Sequence, residues 1–205
     1  MWPFVAKFLS VVFHPVFIPP MMALVMYLFV PSVFVTINKE QFQKLFVIIV
    51  LNTTFFSLVF IALLKAVGFL NSWQMPTTKD RIIPLLGVMV FYFWCYHVLN
   101  NLEDCPPLLR VWMLGNFWGL ILVFLLNIFT KVSLHTGAMG AVLGMFTLIL
   151  IYSVVNLMIP FSMAVLIAGL VGTARLSVGS HNLSQIILGF VSGFIVMFAA
   201  YAWVM

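Results

Sequence analysis

The stretch Ala174-Arg-Leu-Ser-Val-Gly-Ser-His-Asn-Leu-Ser-Gln-Ile-Ile-Leu-Gly189 separates two apolar runs near the end of the chain. The runs cover residues 160–174 and 182–205. Both are candidates to cross a bilayer, so Arg175 and His181 lie at the edge of membrane spans. Ionisable side chains are costly there and usually functional. The stretch therefore predicts a membrane protein with a polar site between its last two spans.

The composition agrees with a membrane location. Of the 205 residues, 65% are hydrophobic and 6% are charged, whereas soluble domains carry about 25% charged residues. We predict an all-α fold, a polytopic transmembrane helical bundle of about six to seven spans with short loops and no soluble domain. The net charge of +5 favours anionic partners, either membrane lipids or a phosphorylated substrate, and we predict no nucleic-acid partner.

The whole chain, residues 1–205, reads as a single integral-membrane domain. Residues 3–13 are apolar but too short to span, and His14-Pro15 interrupts them, which predicts an interfacial segment over residues 1–14. The predicted spans then cover residues 16–36, 44–70, 84–99, 109–130, 138–158, 160–174 and 182–205.

Counting these spans places three polar clusters on one side of the membrane. They are residues 71–81, residues 131–137 and residues 175–181, each separated from the next by two crossings. The shared side collects cations, a hydroxyl and two imidazoles: Lys79, Arg81, Lys131, Ser133, His135, Arg175 and His181. Guanidinium and ammonium groups complement phosphate oxygens, and a histidine pair can supply a nucleophile and an acid.

The spacing of these residues resembles that of a known family. Arg175 and His181 keep the spacing of the signature SRxxxxxHxxxD, and Ser133 and His135 keep the Ser-x-His of PSGH. Lys79-Asp80-Arg81-Ile-Ile-Pro84 is a compressed form of KxxxxxxRP. In this order, the motifs resemble those of the type 2 phosphatidic acid phosphatase superfamily, the membrane histidine lipid phosphatases.

The resemblance implies a role for each residue. His181 is expected to be the nucleophile that forms a phosphohistidine, and His135 the acid that protonates the leaving group. Arg175, Lys79 and Arg81 are expected to clamp the phosphate, with a hydrogen bond from Ser133. Lys131 lies outside the signature, but its place two residues from Ser133 predicts a further phosphate contact. The resemblance implies no metal and no cofactor, and the four histidines lack zinc-ligand spacing.

Three positions depart from the family pattern. Gln185 stands where the family has the Asp that orients and charges the nucleophilic His, so it is the third predicted catalytic position. Leu134 replaces a glycine, and Ala174 replaces a serine. An amide can orient an imidazole but cannot stabilise its charge as a carboxylate does. Asp80 is one candidate for the missing carboxylate.

These departures leave three functions open. The first is metal-independent hydrolysis of a lipid phosphate or an isoprenyl diphosphate. The second is a catalytically weakened relative that binds or transports phosphorylated lipids. The third is a small transporter whose intramembrane charges line a pathway. For Arg175 and His181, the alternative to a site is a helix-end pair that reaches the headgroups.

The orientation depends on which charges are counted. The positive-inside rule places the cluster in the cytoplasm if every Lys and Arg is counted, but most of those charges belong to the predicted site. By analogy with bacterial relatives, we expect a bacterial inner-membrane protein whose site faces the periplasm. Cys95 and Cys105 lack metal-ligand spacing and are expected to be plain thiols.

Overall fold

The protein folds as an all-α bundle that spans the membrane. The computed structural model describes residues 2–70, 72–73, 75, 77–153 and 155–205. Within these residues, seven helical stretches are long and apolar enough to cross a bilayer, so the chain is an integral membrane protein. They are Pro3–Phe29, Lys39–Ala66, Lys79–Asn100, Pro107–Asn127, Leu134–Tyr152, Met158–Ser177 and Leu183–Val204. Asn71, Gln74 and Pro76, in the predicted polar segment, lie outside the described residues.

The α-helices are numbered in chain order. The first four are α1 (Pro3–Val12), α2 (Ile18–Phe29), α3 (Lys39–Ile49) and α4 (Ser57–Ala66). The other five are α5 (Ile82–Asn100), α6 (Pro107–Asn127), α7 (Leu134–Tyr152), α8 (Met158–Ser177) and α9 (Leu183–Val204). Short 3₁₀ turns lie at Pro15–Phe17, Pro31–Phe34 and Lys79–Arg81, and a π-helix over Val50–Phe56 joins α3 to α4.

The first stretch is interrupted where the sequence predicted a break. His14 has extended backbone angles, and its Nδ1 accepts a hydrogen bond from the Val16 N–H at the start of the next turn. The predicted end at residue 36 is wrong, because α2 stops at Phe29. Pro31 disfavours helical angles in the residue before it, and Val30 accordingly leaves the helix.

The second stretch begins earlier than predicted, at Lys39 rather than at residue 44. Asn38 and Gln41 form a reciprocal capping box, in which each side chain accepts the other residue's backbone N–H. The predicted polar turn is therefore the start of α3. At the same end of the bundle, Gln41 also donates to Asp104 at 3.1 Å, which ties α3 to the loop before α6.

Helix α7 is the most buried of the seven stretches, and it packs mainly against α9. At Gly140 and Gly193, a Cβ atom would overlap backbone atoms of the facing helix. Small residues at these positions let the two backbones touch. The predicted start at residue 138 is wrong, because the Ser133 hydroxyl caps the helix through the Thr136 N–H. As a result, His135 lies in the first turn of α7.

Candidate functional site

The connection between α6 and α7 lies at the centre of the predicted polar cluster. A guanidinium N–H of Arg81 donates to the Val132 carbonyl at 3.0 Å. From the other side, the Ser133 N–H donates to the Gln185 carbonyl at 3.3 Å. Together with a contact of His181 with the Lys131 carbonyl, these bonds bring the three predicted polar segments together at residues 131–133.

Hydrogen bonds fix the tautomer of His181. Its Nδ1 lies 3.1 Å from the Lys131 carbonyl oxygen and 3.1 Å from Gln185 Oε1. A carbonyl oxygen only accepts, so Nδ1 carries the hydrogen. Gln185 Oε1 also accepts the Asn182 N–H as part of the α9 capping box, which fixes the orientation of the amide. The Nε2 atom of the neutral ring therefore keeps its lone pair.

The surroundings of His181 favour the neutral ring. Burial and the nearby positive charges of Arg81 and Arg175 lower the pKa of His181 to about 4. The hydrogen bonds to Gln185 and to the Lys131 carbonyl act in the opposite direction but do not outweigh burial. At neutral pH, His181 is an uncharged imidazole with a free ring nitrogen, as a nucleophile requires.

Arg81, Arg175 and Lys131 form the cationic part of the site. Burial lowers the pKa of Lys131, and the charges of Arg81 and Arg175 lower it further, so all three groups lie within electrostatic reach of one another. Arg81 is buried and donates to the carbonyls of Val132 and Met75. No hydrogen bond described for these three cations goes to a carboxylate, and Asp80, which interacts electrostatically with Arg81, supplies one negative charge against three positive ones. The cluster therefore has excess positive charge, which favours an anionic ligand.

Ser10 of α1 joins Arg175 to His135. Its hydroxyl accepts a hydrogen bond from Arg175 Nη1 at 3.2 Å and donates to the Ala6 carbonyl at 2.8 Å. Its own carbonyl lies 3.0 Å from His135 Nε2, so that nitrogen is the donor. The N-terminal helix thus forms one wall of the site.

Among the described residues, one buried donor of the site is unpaired. Arg175 Nε is buried and has no acceptor among the described residues. A buried unpaired N–H is costly, and the cost is larger for a charged group. An anion oxygen bound beside Arg175 would satisfy this donor.

Three other predicted residues, Lys79, Ser133 and Asp80, have no described hydrogen bond to the cationic groups of the site. Lys79 is exposed at the same end of the bundle, and the structure describes no hydrogen bond from it to the cluster. Ser133 is fully buried and caps α7, so its predicted phosphate contact stays a prediction. The Asp80 carboxylate accepts from the N–H and hydroxyl of Thr77, and His181 has Gln185 and a backbone carbonyl in place of a carboxylate.

The sequence indicated neither Ser10 nor His14 as part of the site. The His14 ring lies edge-on to that of His135, with centroids 5.2 Å apart. The one sequence feature that could have indicated the N-terminal segment was the interruption at His14-Pro15, because α1 ends there, beside the predicted site. Nothing in the local sequence indicates that α1 returns to α8.

The described residues include no group of three His, Cys, Asp or Glu side chains that could hold a metal ion. No protein-family model matches the chain, and neither a search of curated proteins nor a search of solved structures found a match.

Proposed function

We propose that this protein is a membrane lipid phosphatase that hydrolyses a lipid phosphate or an isoprenyl diphosphate through a phosphohistidine. One observation carries the proposal: a neutral His181 with a free Nε2 lies within electrostatic reach of Arg81 and Arg175, which in turn interact with Lys131, and no hydrogen bond described for these three cations goes to a carboxylate. A phosphate bound by the cations would lie next to a nucleophile. The motif order that resembles the type 2 phosphatidic acid phosphatase superfamily supports the same function.

The proposed reaction has two steps. In the first, His181 Nε2 attacks phosphorus and the bond from phosphorus to the lipid oxygen breaks. His135 enters this step protonated on both ring nitrogens: its Nε2–H stays on the Ser10 carbonyl, and its Nδ1 gives the lipid oxygen a proton. In the second, water loses a proton to His135 and attacks the phosphohistidine, which releases phosphate and restores His181. Arg81 and Arg175 would stabilise the charge that develops on the phosphoryl oxygens.

Among the departures from the family pattern, Gln185 has the most direct effect on the expected rate of hydrolysis. In the Ser-His-Asp triad of serine proteases, replacing the Asp by Asn lowers kcat by about 10⁴ because the histidine takes the wrong tautomer. Here the Lys131 carbonyl and Gln185 Oε1 both accept from Nδ1, which keeps the productive tautomer. We therefore expect the amide to lose the electrostatic benefit of a carboxylate while it keeps the orientation.

The same amide favours the second candidate function, a weakened relative that binds or transports phosphorylated lipids. Without a charged partner, the imidazolium that forms during attack is less stable. This candidate predicts saturable binding of a lipid phosphate, weakened by Arg175→Ala, with no phosphate released by the wild type.

Phosphate release by purified protein separates the two functions. The substrates are a panel of lipid phosphates and isoprenyl diphosphates, assayed with EDTA present. We expect the wild type to release phosphate and His181→Ala to release none. His97→Ala is the matched control, because His97 is exposed at the other end of α5. Release by His181→Ala at the wild-type rate would falsify the phosphohistidine mechanism.

A further inference from the structure

A mostly apolar cavity of about 320 Å³ opens from the cationic cluster into the bundle. It lies between α4, α5, α6, the first turn of α7 and the break between α1 and α2. Arg81 and His14 supply polar side chains to its lining, while most of the remaining wall is apolar, including Ile61, Leu85, Val88 and Leu120. Pockets that hold small molecules begin at roughly 300 Å³.

Arg81 belongs to both the cavity and the cluster. Arg81 lines the cavity, and its guanidinium donates to the Val132 carbonyl, next to the Lys131 carbonyl that holds His181. A phosphate bound at Arg81 therefore lies at the polar end of an apolar space. A ligand that fits both regions has an anionic head and a hydrocarbon tail.

The cavity borders on the outside of the bundle. Leu58 and Trp73 line it, yet 41% and 61% of their respective surfaces are exposed. Leu58 lies on α4, whose outer surface faces the membrane. A hydrocarbon chain already in the bilayer could therefore enter sideways without crossing water.

A smaller space of about 50 Å³ continues inward. It shares Pro15, Tyr92, Leu120 and Leu134 with the larger cavity. Gly115 and Gly119 of α6 line it, and Met197 and Val196 of α9 pack close to the α6 backbone at these two positions. The larger space therefore has a small neighbour along the same walls, and the size of the larger space suits one chain.

We propose that this cavity binds one hydrocarbon chain of the phosphorylated lipid and holds the phosphate at Arg81. The inference rests on the proposed function for the phosphate. Because a chain in the bilayer is already out of water, the cavity selects it by packing and shape rather than by the hydrophobic effect. The expected ligand class is an amphiphile with one acyl, alkyl or isoprenyl chain in the protein.

Filling the cavity tests the proposal. Val88→Trp places a large ring in the cavity, and Val90→Trp is the matched control, because Val90 lies on the same helix and is 62% exposed. The substrates are hexadecyl phosphate and the short soluble ester para-nitrophenyl phosphate. We expect Val88→Trp to lower kcat/KM for hexadecyl phosphate about tenfold or more. Turnover of the soluble ester should stay near wild type, and Val90→Trp should change neither.

Equal losses on both substrates, or no loss on either, overturn the proposal. A second measurement does not need turnover: His181→Ala is photolabelled with hexadecyl phosphate that carries a diazirine at the end of its chain. We expect labelled peptides around Ile61, Val88 and Leu120, and labelling confined to the outer surface contradicts the cavity. If the wild type hydrolyses neither substrate, the proposed function fails, while the photolabel still decides whether the cavity holds the chain.

Discussion

At the scale of single residues, the protein holds His181 with two neutral acceptors. Gln185 Oε1 and the Lys131 carbonyl both accept from Nδ1, so the ring is oriented without a negative charge beside it. Burial, together with the positive charges of Arg81 and Arg175, then keeps the ring neutral down to acidic pH. A carboxylate would both orient the ring and stabilise its positive charge. The two neutral acceptors of His181 only orient it.

This arrangement predicts a distinctive pH dependence. Attack requires the neutral ring, and the pKa of His181 is about 4, so the acid limb of kcat/KM should lie near pH 4. A second, falling limb should mark the loss of the proton that His135 gives to the lipid oxygen. Gln185→Glu places a carboxylate against Nδ1, which stabilises the imidazolium and raises the pKa. We expect the acid limb of the pH profile to move upward and the limiting rate to increase about tenfold or more. An acid limb near pH 6.5 in the wild type would contradict this electrostatic account.

Ser10 is a positioning residue for Arg175. Ser10→Ala removes the hydroxyl that accepts from Nη1 but leaves the carbonyl that binds His135. We expect KM to rise by roughly tenfold, equivalent to about 1.4 kcal/mol, with kcat little changed. Ser10→Thr keeps the hydroxyl and should restore KM. A lower KM in Ser10→Ala would mean that Ser10 competes with the phosphate for Arg175.

At the scale of the helices, backbone contact between α7 and α9 positions the site. Helix α7 presents His135, and α9 begins directly after His181, so any separation of the two helices moves both imidazoles. A Cβ at Gly140 would overlap the Phe190 carbonyl. Gly140→Ala should therefore destabilise the protein by about 1–3 kcal/mol, because the facing backbone cannot move aside cheaply.

Thermal unfolding in detergent measures this effect. Gly169→Ala on α8 is the matched control, because a Cβ there meets no atom within 4 Å. We expect its unfolding midpoint to be unchanged or raised, since alanine favours a helix more than glycine does. Equal midpoints for Gly140→Ala and the wild type would show that the two helices can separate without cost.

At the scale of the whole molecule, the predicted site lies at one end of the bundle, and the loop between α5 and α6 lies at the other. Lys79 is exposed at the first, and Glu103 is exposed at the second. Cys95 and Cys105 are buried thiols, and burial raises the pKa of Cys105 to about 12. The wild-type protein should therefore react poorly with thiol reagents, which makes single introduced cysteines informative.

Labelling of intact bacterial cells then determines the orientation. If the site faces the periplasm, a membrane-impermeant maleimide added outside should label Lys79→Cys and not Glu103→Cys. The wild type is the background control. Labelling of Glu103→Cys alone would place the site in the cytoplasm and would restrict the substrate to the inner leaflet.

The sequence by itself determined the membrane class, the number of spans and the placement of the polar clusters at one common end of the bundle. Hydropathy is a local property, so the spans can be counted from the sequence. Because each crossing reverses the direction of the chain, this count also shows which polar clusters lie at the same end of the bundle. Helix starts at Asn38 and Ser133 were missed although capping residues were present, because polar residues at a boundary resemble a turn.

Only the tertiary structure decided how the imidazoles are held. The partners of His181, His135 and Arg175 include the Lys131 carbonyl, the Ser10 carbonyl and the Ser10 hydroxyl. Two of these three acceptors are backbone atoms, which every residue has, so no sequence pattern distinguishes them. Which carbonyl faces which ring depends on how closely helices distant in sequence approach, and that distance is set by packing at glycines such as Gly140 and Gly193.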